Sequence, residues 1–323
     1  VKCSDFLDVQ PNPTIDIVHA ALEGYKASGA KCVVALGGGS PMDVAKAVGI
    51  LATYGGKVTD YVGFQKVPGP TIPLIAIPTT AGTGSEVTAS SVITDASTNY
   101  KMAIISYNLI PSYALLDPEM IMSLPAGVAA SCGVDAFIHA LEAYVSKEAN
   151  PFTDAMAEKA MELIGGSIRR FVASRDNEEA ACSMMLGSTL AGISFAWAKL
   201  GNVHAMSHPV SGFFHVAHGV ANSILLPNIV EFNALADNGR YRKIYSYIAN
   251  GKMADDSFTP DMLADALRQL NRELGIPATL SEVGVTEDKI PEMTADAMKS
   301  GNILTNPRQT TSKDVEMLYR KTL

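Results

Sequence analysis

Short apolar runs set between glycines and prolines fill the first third of the chain. Residues 31–36, 74–77, 90–94 and 102–105 each join a few β-branched or aliphatic side chains without strict alternation. Such runs predict short strands in a sheet covered on both faces. Helical periods separate them. Residues 14–28 follow Pro13, with Thr14 as the N-cap, and residues 41–54 have Ser40 as N-cap and Pro41 at the first helical position. Strand–helix alternation predicts an α/β layer with parallel strands. The pattern changes after about Leu124. From Pro125 onward Ala, Met, Leu, Glu and Lys recur at helical spacing, predicting helices over 125–147, 151–174, 179–200 and 260–274. The chain therefore divides into an α/β domain, residues 1–124, and an all-helical domain, residues 125–323.

A length of 323 residues suits two domains, and 47% apolar against 18% charged residues excludes a disordered chain. A net charge of −8 with no basic block argues against a nucleic-acid or anionic-membrane partner. Cys3, Cys32, Cys132 and Cys182 are widely separated and form no CxxC pair. That excludes a disulfide framework or thiolate zinc knot and points to a reducing, cytoplasmic compartment. No uninterrupted apolar run approaches ~18 residues, so no bilayer span is expected. The opening residues do not read as a secretory signal.

Histidine placement is the sharpest chemical clue. Five of the six histidines, His139, His204, His208, His215 and His218, lie between residues 139 and 218, and only His19 lies outside. Asp135 and His139 are four apart in a helical run, so they share a face. A carboxylate among Val134, Phe137, Ile138 and Leu141 costs several kcal/mol unless paired or bound to a cation. His204 and His208 repeat that spacing, Pro209 and Gly212 are expected to interrupt their helix, and His215 and His218 follow. The apolar flanks favour convergence on one metal over a polar surface loop, although a satisfied core histidine is the plain alternative for His139. A carboxylate with neutral imidazoles suits Fe²⁺ or Zn²⁺ rather than Ca²⁺ or Mg²⁺. An open coordination position makes such a metal a Lewis acid toward an alkoxide or carbonyl, with a spare histidine to carry the proton.

Two glycine-rich loops follow predicted strands. Gly37-Gly38-Gly39-Ser40-Pro41 opens a helix, where exposed amides and the helix dipole favour a phosphate. It is neither GxGxxG nor a Walker loop, and tight strand–helix packing is the alternative. Residues 78–86 offer four hydroxyls, on Thr79, Thr80, Thr83 and Ser85, with Gly82 and Gly84 between them. An ordinary polar turn would read the same way, but two such loops together point to a large phosphorylated ligand.

The segments GGGSPMDVAKAVG (37–49), PTTAGTGSEVT (78–88), GVDAFIHALEAYVS (133–146) and GNVHAMSHPVSGFFHVAHGVANSILLP (201–227) together resemble the iron-containing, metal-dependent alcohol dehydrogenase family. The likeness runs in order from Pro11 to Arg308. It implies a Rossmann-like, dehydroquinate-synthase-like α/β dinucleotide-binding domain, followed by an all-α metal-binding domain with the site between them. It implies Asp135, His139, His204 and His218 as metal ligands and His208 as the proton-transfer histidine. Gly38, Gly39, Ser40 and Asp43 match the pyrophosphate and nicotinamide region, and Thr79, Thr80, Thr83 and Ser85 match the second cofactor loop. Lys101 matches a lysine near the cofactor ribose, and Asn12 a residue near the adenosine. The implied cofactors are NAD or NADP with Fe²⁺ or Zn²⁺, the partner is a small alcohol or aldehyde, and the assembly is a homo-oligomer. Family members usually carry a further strand–helix–strand at the front, with an acidic residue that reads the adenine ribose. That piece is missing here, so an incomplete sequence is expected. Ala196-Trp197 replaces residues that are often asparagine, placing Trp197 either in the alcohol pocket or in the core.

Two alternatives remain at this level: a dehydroquinate-synthase-like metal- and NAD-dependent lyase or cyclase, and an inactive metal-binding subunit. Residues 201–227 contain no Arg or Lys, which favours a neutral substrate over a phosphorylated acid.

Overall fold

The computed structural model describes residues 2–97, 100–249 and 255–323. Its first part holds helices α1 (Ile15–Ser28) and α2 (Gly39–Tyr54) and two small sheets. Strands β1 (Val33–Gly37), β3 (Leu74–Pro78) and β6 (Tyr113–Ala114) form one sheet in the order β1-β3-β6, all parallel. Strands β2 (Gly63–Phe64), β5 (Tyr100–Ile105) and β4 (Ser90–Asp95) form the other in the order β2-β5-β4. There β2 runs parallel to β5, whereas β4 and β5 pair antiparallel, Val92 opposite Ala103. The expected parallel pairing therefore holds for β1-β3-β6 and β2-β5 and fails only between β4 and β5. The link between β4 and β5 is too short for the crossover that parallel strands need.

The expectation that the strands are covered on both faces fails for β1. Ala35 is buried, but Val34 and Leu36 are 54% and 57% exposed. Among the described residues, α2 packs only the Ala35 face, through Met42 and Ala45. Thr14 caps α1 as expected, accepting from the Ile17 amide. Helix α2, by contrast, begins two residues early, with Gly38 as its cap and no side-chain hydrogen bond. Ser40 and Pro41 thus lie inside the first turn, and the first amides of α2 stay free of side-chain acceptors.

After the short helix α3 (Glu119–Met122), the described chain is helical throughout. It comprises α4 (Ala126–Val145), α5 (Pro151–Ala173), α6 (Glu178–Ala198), α7 (Asn202–Phe214), α8 (His218–Asn233), α9 (Arg240–Ile248), α10 (Pro260–Glu273), α11 (Ile290–Ala297), α12 (Asn302–Thr305) and α13 (Ser312–Thr322). Helix α5 starts on a capping box between Asn150 and Thr153, with Pro151 at its first position. Helix α4 lies at the centre of this layer, buried almost all round, as befits a helix apolar on every face. Helices α4 and α6 are each long and apolar enough to cross a membrane by composition, which counting uninterrupted runs did not reveal. Both pack within the helical layer, Phe137, Ile138 and Met184 being buried in its core.

Pro209 and Gly212 do not break α7. It continues to Phe214 and ends at His215, whose φ is 56°. Trp197 is not a core residue: it is 52% exposed and stacks on Tyr107 at 5.3 Å.

The two parts meet where residues 84–86 press on α6. Gly84 has φ +60°, and a Cβ there would lie 2.7 Å from Gly192 Cα. Beside it, Thr189 donates to the buried Glu86 carboxylate at 2.7 Å. Gly84→Ala combines backbone strain with a clash against backbone. It should lower stability by about 2–4 kcal/mol, read as the shift in urea-unfolding free energy. A loss under about 0.5 kcal/mol would mean that the seam is loose.

Candidate metal and cofactor site

Three helices bring the metal-type side chains together. Asp135 and His139 come from the middle of α4, His204 and His208 from α7, and His218 from the first turn of α8. Gly219 sets the last approach, because a Cβ there would collide with the Ser131 carbonyl of α4. One ligand-capable atom from each of Asp135, His204 and His218 lies within 4.8 Å of the others. His139 stacks on His204 with ring centroids 4.5 Å apart, and His208 stacks on His218 at 5.2 Å. His215, the helix cap, is exposed and outside this group, so four imidazoles of residues 204–218 do not converge as spacing suggested.

The outer contacts orient these rings. His139 Nδ1 lies 3.2 Å from the Gly82 carbonyl, which can only accept, so this nitrogen carries a proton. His204 Nδ1 lies 2.6 Å from Glu142 Oε2, and the same argument applies. Each ring is left with Nε2 as its ligating nitrogen.

Burial alone would raise the Asp135 carboxyl. The facing His139, His204 and His218 instead hold it well below the usual carboxylate range. His139 and His218 are lowered to about 4 and about 3, chiefly by burial. His204 runs against its own burial: hydrogen bonds to Asp135 and Glu142 carry it up to about 9. His208 is partly open to the cleft, but the protein around it, and then the charges of His218, His204 and Lys101, push it well below its ordinary value.

Asn222, one turn after His218, tests whether a cation fits. Its Nδ2 lies 2.6 Å from Asp135 Oδ1, 3.2 Å from His204 Nε2 and 3.1 Å from His218 Nε2. Its own buried Oδ1 has no partner, so the amide is left incompletely satisfied among these groups. A buried centre of one carboxylate and several imidazoles, with an orphaned polar atom beside it, fits a borderline divalent metal.

The two glycine-rich loops lie against each other. A Cβ on Gly38 would meet Thr80 Oγ1 at 3.3 Å, and one on Gly39 would meet Thr83 Cγ2 at 3.1 Å. The free amides at the start of α2 therefore adjoin the hydroxyls of the second loop, an arrangement suited to phosphate oxygens. Lys46, 1% exposed, fastens this junction. Its ammonium reaches Ser85 O, Ser85 Oγ, Thr88 O, Thr88 Oγ1 and Ser90 O at 2.7–3.2 Å. Burial lowers Lys46 to about 8 and raises Asp43, one turn before it, to about 6.

Family models cover nearly the whole chain: "Iron-containing alcohol dehydrogenase" matches residues 1–118 and "Fe-containing alcohol dehydrogenase family, C-terminal" matches residues 129–323. The chain belongs to the iron-containing alcohol dehydrogenase family. It is 39% identical to a 1,3-propanediol dehydrogenase of Citrobacter freundii over 98% of its own length and 82% of the relative's. It is 38% identical to the lactaldehyde reductase of Escherichia coli K12, over 96% and 82%. A crystal structure of a 1,3-propanediol oxidoreductase superposes with a TM-score of 0.95 at 37% identity, covering 98% of this chain and 84% of that one. The protein is thus an oxidoreductase of the iron-containing alcohol dehydrogenase fold.

In this member of the iron-containing alcohol dehydrogenase family, the residues singled out from sequence fall into two gatherings. Asp135, His139, His204, His208 and His218 are at the histidine cluster. Gly38, Gly39, Ser40, Asp43, Thr79, Thr80, Thr83 and Ser85 belong to the two loops, with Ser85 Oγ 3.5 Å from Asp43 Oδ1. Lys101, lowered by burial, is close enough for its charge to bear on His208 and His218. Asn12 is exposed at the turn into α1 with φ 54°, and no hydrogen bond among the described residues joins it to either loop. Phe195 rather than Trp197 faces the metal end, stacked on His139 at 4.5 Å.

Sequence reasoning passed over Glu142, Asn222 and Lys46. The signal was present for two of them: Glu142 is on the Asp135–His139 face, and Asn222 is four residues after His218.

The raised Asp43 pKa makes a pH prediction. The folded protein holds this proton more tightly than the unfolded chain, so the contribution is full below pH about 4 and lost as pH rises through about 6. The stability of the wild type relative to Asp43→Asn should therefore fall between pH 4 and 6.5, by at most about 3 kcal/mol. Denaturant midpoints across that range measure it, and a flat difference would refute the burial argument.

Proposed function

We propose that this protein is a metal-dependent alcohol dehydrogenase that interconverts a small neutral alcohol or diol with its aldehyde, using NAD or NADP. The cation, Fe²⁺ or Zn²⁺, would be held by Asp135, His139, His204 and His218. The observation that carries the reading is the approach of Asp135, His204 and His218 within 4.8 Å, with His139 stacked alongside. When bound, the cation supplies Lewis acidity toward a substrate oxygen, and the nicotinamide takes up or returns a hydride.

The chain's own residues do the rest. The amides at the start of α2 and the hydroxyls of Thr80 and Thr83 bind phosphate oxygens, and Lys46 keeps the two loops in register. His208, neutral and open to the cleft, accepts a proton in the oxidation direction and returns it in the other. Phe195 gives the cleft an apolar wall. With no Arg or Lys in residues 201–227, that wall suits an uncharged substrate better than an anionic one. The four free cysteines suit a reducing compartment.

Absorbance of the reduced nicotinamide, followed with Fe²⁺ or Zn²⁺ and a panel of short alcohols and aldehydes, tests the assignment. His204→Ala should abolish both bound metal and turnover. Turnover that survives in rigorously metal-free protein would refute the mechanism. His208→Asn should keep its metal and lose about 10²–10⁴-fold in kcat. A loss under about tenfold would remove His208 from proton transfer.

A further inference from the structure

Glu142 is a buried carboxylate outside the candidate ligand set. It is 3% exposed and lies on α4 two turns beyond Asp135. Both of its oxygens face α7: Oε1 accepts the Val203 amide at 2.7 Å, and Oε2 lies 2.6 Å from His204 Nδ1. Each contact is short, so both oxygens are engaged by α7. The surroundings leave it little freedom. Asn306 accepts from the Asn202 amide at 3.2 Å, and Asn202 Nδ2 donates to Thr310 Oγ1 at 2.8 Å, tying the start of α7 to residues 306–310.

We propose that Glu142 is a positioning residue for the cation site, holding His204 in the one tautomer and orientation that directs Nε2 toward Asp135 and His218. This rests on the metal reading given above. The argument is one of donors and acceptors. A carboxylate can only accept, so the Glu142 contact keeps a proton on Nδ1 and leaves Nε2 for the cation. A glutamine of the same shape carries one acceptor and one donor. Turned one way, it leaves the buried Val203 amide facing an NH₂ group. Turned the other way, its NH₂ faces His204 Nδ1 and favours the tautomer with the proton on Nε2, where a cation would bind. Glu142→Gln therefore costs metal affinity in a way that its size does not explain.

The test uses the whole chain stripped of metal and titrated with Co²⁺ against a chromophoric chelator, with thermal melting of the metal-free form as the control. Glu142→Gln should bind Co²⁺ about 10–100-fold more weakly than the wild type. Equal affinity in the two proteins, or a loss confined to the metal-free melting temperature, overturns the positioning role and leaves the metal site intact. Failure of the wild type to bind Co²⁺ overturns the metal reading and this inference with it. Should Glu142→Gln not fold, ¹⁵N-histidine spectra of the Zn²⁺-loaded wild type decide the matter. A proton on His204 Nδ1 supports the proposal, and an unprotonated Nδ1 overturns it.

Discussion

A carboxylate buried in the middle of an apolar helix governs this structure. Asp135 is 4% exposed on α4, among residues that form the centre of the helical core. Leaving that charge unpaired would cost several kcal/mol, so the fold must bring compensation to it. The compensation comes from His139 on the same helix and from two other helices, and the way the latter arrive sets their packing. His204 requires α7 to lie alongside α4, and His218 requires the start of α8 to come so close that Gly219 has no room for a side chain. The imidazoles in turn need their own outer partners, which explains why Glu142 and the Gly82 carbonyl sit behind them. Even so, the cluster is not fully satisfied: Asn222 keeps an amide against Asp135, His204 and His218 while its own buried Oδ1 has no partner.

The same need links the helical layer to the sheets. Gly82, which holds His139, belongs to the loop that also presents Thr80 and Thr83 to the start of α2. Two residues on, Gly84 rests on Gly192 of α6, and Glu86 receives Thr189. The loop whose hydroxyls adjoin the start of α2 is therefore the loop whose Gly82 carbonyl orients His139. The spacing between the glycine-rich loops and the histidine cluster is set by packed backbone, which holds groups in register better than flexible side chains do. Lys46 stiffens the same loop from the other side, spreading its charge over five oxygens.

Much of this was legible in the linear pattern. The capped start of α1, the opening of α5 at Pro151 and the i,i+4 pairs Asp135–His139 and His204–His208 depend on local spacing alone. What misled was local as well. Pro209 and Gly212 read as breakers, yet α7 runs through them, because burial of Val203, Met206 and Val210 outweighs one missing hydrogen bond. Ser40-Pro41 read as a helix start, but α2 begins at Gly39, where a Cβ would sit tightly against Thr83 of the other loop. Trp197 drew notice as the one tryptophan, and Phe195, two residues before it, faces the histidines. Neighbours on a helix at that spacing point to different sides, and only packing says which side is inward.

The sequence by itself determined the alphabet of the site: one acid and a cluster of histidines at helical spacing, two glycine-rich turns after apolar strands, and ordered motifs that identify the family. It did so because helix period, turn chemistry and cap preference are properties of a few adjacent residues. The tertiary structure alone decided which atoms meet. It excluded His215, admitted Glu142 and Asn222, and brought the charge of Lys101 to bear on His208 and His218. Those outcomes depend on the approach of segments many residues apart, and that approach is set by close packing and by the cost of burying unpaired polar groups, neither of which is encoded at any single position.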